Sequence, residues 1–207
     1  MGKGTHFIGQ PMFGQLISLI DKSKVLGFSR EKGGERYVKH FDAWQHLVIM
    51  LYAVIKRFDS LREITGSMFP EVRKLSHLGI GMMPRRSTLS DANARRPQDV
   101  FESTYRDLYA TYRGELSSDS RKRQVPKWLD RLQIIDSTTV TLIANLLLMV
   151  IQKRIKRTWS FSGMATMFRI MVMYYVNCYT FFEEPEKDWL AILKTTDSSP
   201  PGPTLFD

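Results

Sequence analysis

Apolar residues recur at three- and four-residue steps over most of this chain, which is the period of helices packed by one face. The first such run covers residues 12–20, and Gly33-Gly34 then interrupts the pattern. Phe41, Trp44, Leu47, Val48, Leu51, Val54, Ile55 and Phe58 follow at helical spacing, predicting a strong amphipathic helix from about Asp42. Ser60 stands three residues before Glu63, the spacing of a capping box, so a further helix starts there and Pro70 closes it. Residues 99–112 form another, with Val100, Phe101, Tyr105, Leu108 and Tyr112 inward.

The period changes only once. Gln133-Ile134-Ile135-Asp136-Ser137-Thr138-Thr139-Val140-Thr141-Leu142 is rich in β-branched residues and predicts a strand, the one substantial strand in the chain. Residues 143–151 return to helix, residues 159–182 give one or two helices rich in Met and aromatics, and a Pro-rich tail starts near Lys194. The fold class expected is mainly α: a helical region at 9–70, a second at 71–116, a basic linker at 117–131, one strand at 132–142, helices at 143–194 and a tail at 195–207.

Composition sharpens this outline. A hydrophobic fraction of 43% is enough for a packed core, while a net charge of +9 and a pI near 9.7 favour a polyanionic partner. That partner is a nucleic acid or an anionic membrane surface; charge alone does not choose. The single Cys178 leaves no internal disulfide, and His6, His40, His46 and His77 show no metal-ligand spacing. Residues 1–10 lack the apolar run of a secretory signal, and His6 stands where the myristoylation pattern needs Ser or Thr. The apolar run 140–151 is too short to span a bilayer, and residues 164–182 contain Arg169 and Asn177. A central Arg alone costs roughly 2.5–3.5 kcal/mol on insertion.

Two stretches offer chemistry. Residues 84–97, Pro-Arg-Arg-Ser-Thr-Leu-Ser-Asp-Ala-Asn-Ala-Arg-Arg-Pro, predict a short helix capped by Ser87 or Thr88 and displaying Arg85, Arg86, Asn93, Arg95 and Arg96. Arg and Asn suit phosphates and purine edges, and Arg121-Lys122-Arg123 in the linker adds charge. A solvated basic face and a DNA contact remain equal readings of that helix. The other stretch is the strand with Asp136, a lone buried acid of the kind that binds a metal. A two-metal site needs several carboxylates, yet no Asp or Glu occurs between Asp136 and Glu183.

Five motifs in order, Phe13-x-Gln15-Leu16, Asp42-Ala43-Trp44-x-His46-Leu47, Ser60-Leu61-Arg62-Glu63-Ile64, Ser87-Thr88-Leu89-Ser90-Asp91-Ala92-Asn93 and Ile135-Asp136-Ser137-Thr138-Thr139, resemble the front half of a bacterial insertion-sequence transposase. The group resembled is the DDE class with a ribonuclease-H-like core, of the insertion-sequence-four type. The resemblance implies DNA transposition with Mg²⁺ held by three carboxylates, of which Asp136 matches the first. Asn145-Leu146-Leu147-Leu148, Trp159-Ser160-Phe161-Ser162 and Glu186-Lys187-Asp188-Trp189 resemble the extreme carboxyl end of the same family. The rest of the core sheet, the second Asp and the helix with the final Glu have no counterpart.

An in-frame deletion joining two stretches that share Val140-Thr141-Leu142 would give this arrangement. The expectation is therefore a transposase-derived DNA-binding protein of the bacterial cytoplasm, associated with the nucleoid and catalytically inactive, binding no Mg²⁺ stably. Its partners would be the element's terminal repeats, further copies of itself, or full-length transposase. Two other readings stand beside it. One is a basic helical membrane-associated protein. The other is an active nuclease that borrows Glu183, Glu184 or Asp188.

Overall fold

The computed structural model describes residues 9–36, 38–116 and 136–187, with the side chains of 136–138 left aside. Among the described residues the chain is helical and contains no strand. In order come α1 (Met12–Ile17), α2 (Lys22–Glu31), α3 (Ala43–Lys56), α4 (Leu61–Met68), a run of 3₁₀ turns (Phe69–Leu78), α5 (Arg86–Arg95), α6 (Asp99–Leu116), α7 (Asp136–Arg154), α8 (Phe161–Met171) and α9 (Cys178–Glu183).

Capping explains most of the starts. Asp42 accepts from the Gln45 amide at 2.7 Å to open α3, and Ser60 Oγ accepts from the Glu63 amide at 3.2 Å to open α4. Glu63 reaches back to the amide of Asp59 rather than Ser60, so the expected box closes one residue early. Helix α2 is absent from the sequence reading because only Val25 and Ser29 on it are buried; Asp21 caps it through the amides of Ser23 and Lys24. Residues 159–182 resolve into two helices, capped by Ser160 and Asn177.

The expected strand is corrected. Asp136–Leu142 is the first part of α7, while 133–135 lie outside the described residues. A lone strand leaves its amides and carbonyls without partners, whereas a helix pairs them internally. The apolar positions also favour the helix once it is extended: Val140, Ile143, Ala144, Leu147, Val150 and Ile151 are all at most 2% exposed and lie at helical steps. The boundary drawn at 142 thus falls inside one helix.

Helices α3 and α7 form the centre. Leu47, Val48, Ile49 and Leu51 of α3 and Ile143, Leu147 and Val150 of α7 are fully buried. Helix α7 packs on α1, α3, α6 and α8, and one continuous apolar cluster runs from Met12 to Phe182. Polar ties join the two ends of the chain as well. The first amides of α1, on Met12 and Phe13, donate to the carbonyls of Tyr174 and Val172 at 2.9 Å each. Gln15 donates to the Val176 carbonyl at 2.7 Å and accepts from the Cys178 amide at 2.8 Å. Arg169 Nε donates to the Ile55 carbonyl at 2.9 Å, serving the open end of α3.

The amino-terminal helices therefore depend on the carboxyl-terminal ones. A chain ending at residue 131 should lack a cooperative thermal transition, and Leu147→Ala in the full chain should cost about 2–5 kcal/mol in chemical denaturation. A sharp transition for the shortened chain, matching that of the full one, would refute this dependence.

Candidate nucleic-acid interface

Pro84 sets the chain turning into α5, which begins at Arg86 with Arg85 in the capping position and no side-chain cap. The expected caps, Ser87 and Thr88, are inside the helix instead. Helix α5 carries few apolar residues, and only Leu89 on it is buried. Polar anchors do the rest. His46, 2% exposed on α3, donates from Nε2 to Asn93 Oδ1 at 2.6 Å. Arg96, 7% exposed at the end of α5, donates from Nη2 to the Phe41 carbonyl at 2.7 Å and lies over the Phe41 ring.

Leu89, Asn93 and Arg96 stand at i, i+4 and i+7, one face of the helix. That spacing was the available signal that Asn93 and Arg96 point inward, and the sequence reading grouped them with the exposed arginines. Arg85, Arg86 and Arg95 are exposed. Arg121, Lys122 and Arg123 lie outside the described residues.

An open cleft of about 690 Å³ separates the start of α4 from the start of α5, lined by Ser60, Leu61, Arg62, Arg85, Arg86, Ser87 and Ser90. Sequence reasoning missed Arg62, which belongs to a different helix 23 residues earlier in the chain. Three exposed guanidinium groups meet there with no acid among the lining residues. A cleft lined by one sign of charge concentrates the field on an incoming anion. Paired arginines offer the planar forks that suit phosphate oxygens.

Along the other flank of α5 lies a second cleft of about 600 Å³, walled by the turn at Gly33-Gly34, by Arg36, Lys39 and His40, and by Thr88, Asp91, Ala92, Arg95 and Arg96. Gly33 has φ +73°, a backbone angle that favours glycine. At Gly34 a side chain would meet Ser29 Oγ at 2.6 Å, so the turn closes tightly against α2.

The acids near the carboxyl end do not assemble with Asp136. Glu183 accepts from the amide of Lys156, and Arg157 pairs with Glu186 at 2.9 Å, both just beyond the last turn of α7. Glu184 pairs with Lys187. Asp136 opens the same helix, and eighteen residues of rise place its backbone roughly 27 Å from Arg154. Metal ions in a two-metal site lie about 3.5–4 Å apart, so carboxylates at opposite ends of α7 do not fit a shared Mg²⁺ centre. Asp188 lies outside the described residues. Among the described residues no three His, Cys, Asp or Glu groups cluster as metal ligands, and no helix is long and apolar enough to cross a membrane.

With this geometry in place, the comparisons locate one region. Residues 8–81 are similar to a domain of unknown function, DUF4372. No curated protein and no solved structure matches the chain. The similarity spans α1 to the 3₁₀ run and includes the Ser60–Arg62 wall of the first cleft. It stops short of α5.

Burial pushes the His46 imidazole down to about 4, and the nearby Arg96 guanidinium adds to the effect while the Asn93 bond opposes it. The unfolded chain, with an ordinary histidine near 6.5, takes up a proton first as pH falls. The stability contributed by neutral His46 is complete above about pH 6.5 and is lost between there and about pH 4, to the extent of about 3 kcal/mol. Urea midpoints should fall across that window, and His46→Gln should flatten the decline. A variant whose midpoint falls as steeply as the parent would show that another group is responsible.

Proposed function

We propose that this chain is a DNA-binding protein derived from an insertion-sequence transposase of the DDE class and without that enzyme's catalytic centre. The observation that carries the reading is the first cleft, where Arg62, Arg85 and Arg86 from two helices converge on an open, acid-free hollow. Such a hollow fits a phosphodiester, the repeating anion of a nucleic acid. The charge of +9 supports the same partner, and the domain family matched over residues 8–81 is one found in transposase-like proteins. The ends of the element are the natural target, and the nucleoid of a bacterial cytoplasm the natural location.

The inactive state follows from the acids. Three carboxylates must converge for metal-assisted attack on a phosphodiester, and removing one member of such a cooperating set already costs orders of magnitude. Here the stretch 137–182 contains no acid, and Glu183 is engaged at the far end of α7. A chain that binds the element's ends without cutting them would compete with full-length transposase, or join it in mixed oligomers.

Fluorescence anisotropy on a duplex bearing the element's ends tests the binding. The logarithm of affinity should fall linearly with the logarithm of salt, and Arg85→Ala/Arg86→Ala should lower the slope by about two units. An unchanged slope would remove the cleft from the account. The same duplex should stay uncut with Mg²⁺ or Mn²⁺. Metal-dependent cleavage that vanishes in Asp136→Ala would return the chain to the active transposases.

A further inference from the structure

The two clefts do not lie at random around α5. At about 100° per residue, Arg86 faces one flank and Thr88, Ala92 and Arg95 face the opposite flank. Between them runs an exposed outer ridge of short side chains, Ser87, Ser90, Asp91 and Ala94. The first cleft opens on one side of this ridge and the second on the other. Each is basic: Arg62, Arg85 and Arg86 line the first, and Arg36, Lys39 and Arg95 join Arg96 in the second, where Asp91, 3.8 Å from Arg95, is the one acid among the described lining residues.

The second cleft carries a mark of its own. Arg96 lines it while only 7% exposed, and its Nη1 has no hydrogen-bond partner among the described residues although Nη2 and Nε have theirs. The nearby acids Glu35 and Asp42 offset its charge through space, while their hydrogen bonds go to Ser29 Oγ and the Ala43 amide and to the Gln45 amide. A buried guanidinium nitrogen without an acceptor is costly, and an anion in the cleft would supply one once a shift of the side chain opens Nη1 to it.

We propose that α5 enters the major groove of duplex DNA as a straddling helix, with the first cleft taking a phosphate of one strand and the second a phosphate of the other. The inference rests on the DNA-binding reading above and adds the second site and the groove. A helix with its side chains is about 10–12 Å across and the major groove is about 12 Å wide, so phosphates flank a helix seated there on both sides. The small ridge lets the backbone of α5 approach the base edges closely. The phosphate contacts fix its register, and Ser87, Ser90 and Asp91 are left to meet the bases.

The test uses the full chain, a duplex bearing the element's ends, and inorganic tripolyphosphate as a free source of the same anion. Lys39→Ala/Arg95→Ala replaces two exposed side chains, and Ala92→Glu places a carboxylate on the wall of the second cleft with a residue that suits a helix. Unaltered melting temperatures confirm that both variants fold. The double variant should lower the salt slope by about two units and weaken duplex binding about tenfold at 0.1 M salt. Combined with Arg85→Ala/Arg86→Ala the loss of slope should add to about four. Ala92→Glu should weaken binding in the same direction.

Unchanged slope and affinity in Lys39→Ala/Arg95→Ala and Ala92→Glu, beside a reduced slope in Arg85→Ala/Arg86→Ala, would overturn the second site and leave the DNA-binding reading intact. A parent chain that binds no duplex fails both. If tripolyphosphate then raises its melting temperature, and fails to do so in Lys39→Ala/Arg95→Ala, the cleft takes free phosphate and the straddling helix is overturned.

Discussion

Burial of α7 among α6, α3, α8 and α1 is the contact on which the rest of the molecule depends. Fully burying a Leu, Ile or Val side chain contributes about 1.5–3 kcal/mol. Ile143, Leu147 and Val150 are fully buried on α7, and Val140 and Ile151 nearly so. Their sum is comparable to the whole net stability of a domain, about 5–15 kcal/mol. Loss of that helix would expose the surfaces of α3 and α6 that it covers. The amino-terminal helices with the clefts are thus held in place by a segment that begins more than a hundred residues after α1.

The same packing bears on the internal deletion proposed for this chain, because front and back segments meet directly. Tyr112 and Glu115, near the end of α6, meet Arg154 at the end of α7, with the guanidinium 2.8 Å from Glu115 and over the Tyr112 ring. The first amides of α1 donate to the carbonyls of Val172 and Tyr174 just past α8, and Gln15 ties α1 to the start of α9. The contacts of residues 9–116 with residues 136–187 close one apolar core. If the ancestral enzyme had the same arrangement, its ribonuclease-H-like core would be an insertion into a helical domain built from both ends of the chain. Removing the insertion would then leave the helical domain foldable and the acids separated.

Much of this was legible in the sequence, and the failures share a cause. The helices at α3, α4 and α6 follow from apolar periodicity and from Asp42 and Ser60 as caps, which are local signals. Asp136–Leu142 misled because β-branched residues raise strand propensity, whereas the state adopted depends on whether partner strands exist. Helix α2 escaped because its two buried positions, Val25 and Ser29, are too few to show a period. At the site, Arg85 and Arg86 were visible as exposed cations. Arg62 was not, since the cleft joins two helices whose nearness is purely tertiary. Asn93 and Arg96 were read by residue type, although their step from Leu89 gives their direction.

Those two residues also explain why α5 is positioned as it is. With Leu89 as the only buried side chain inside the helix, apolar burial alone would fix its rotation weakly. The His46–Asn93 bond and the seat of Arg96 on Phe41 restrict it further, because a hydrogen bond between buried groups is lost on a small rotation where an apolar contact merely slides. His46 meets these demands only while neutral, since a second ring proton in this apolar setting, between Phe41 and Phe101, would find no acceptor for Nδ1. The inward polar set therefore turns the arginines outward: with Asn93 and Arg96 held against α3 and the turn before it, the helical period leaves Arg86 and Arg95 on opposite flanks. A substitution that kept every exposed cation but replaced Asn93 by Leu would keep the charge of the surface and loosen the one constraint that aims it.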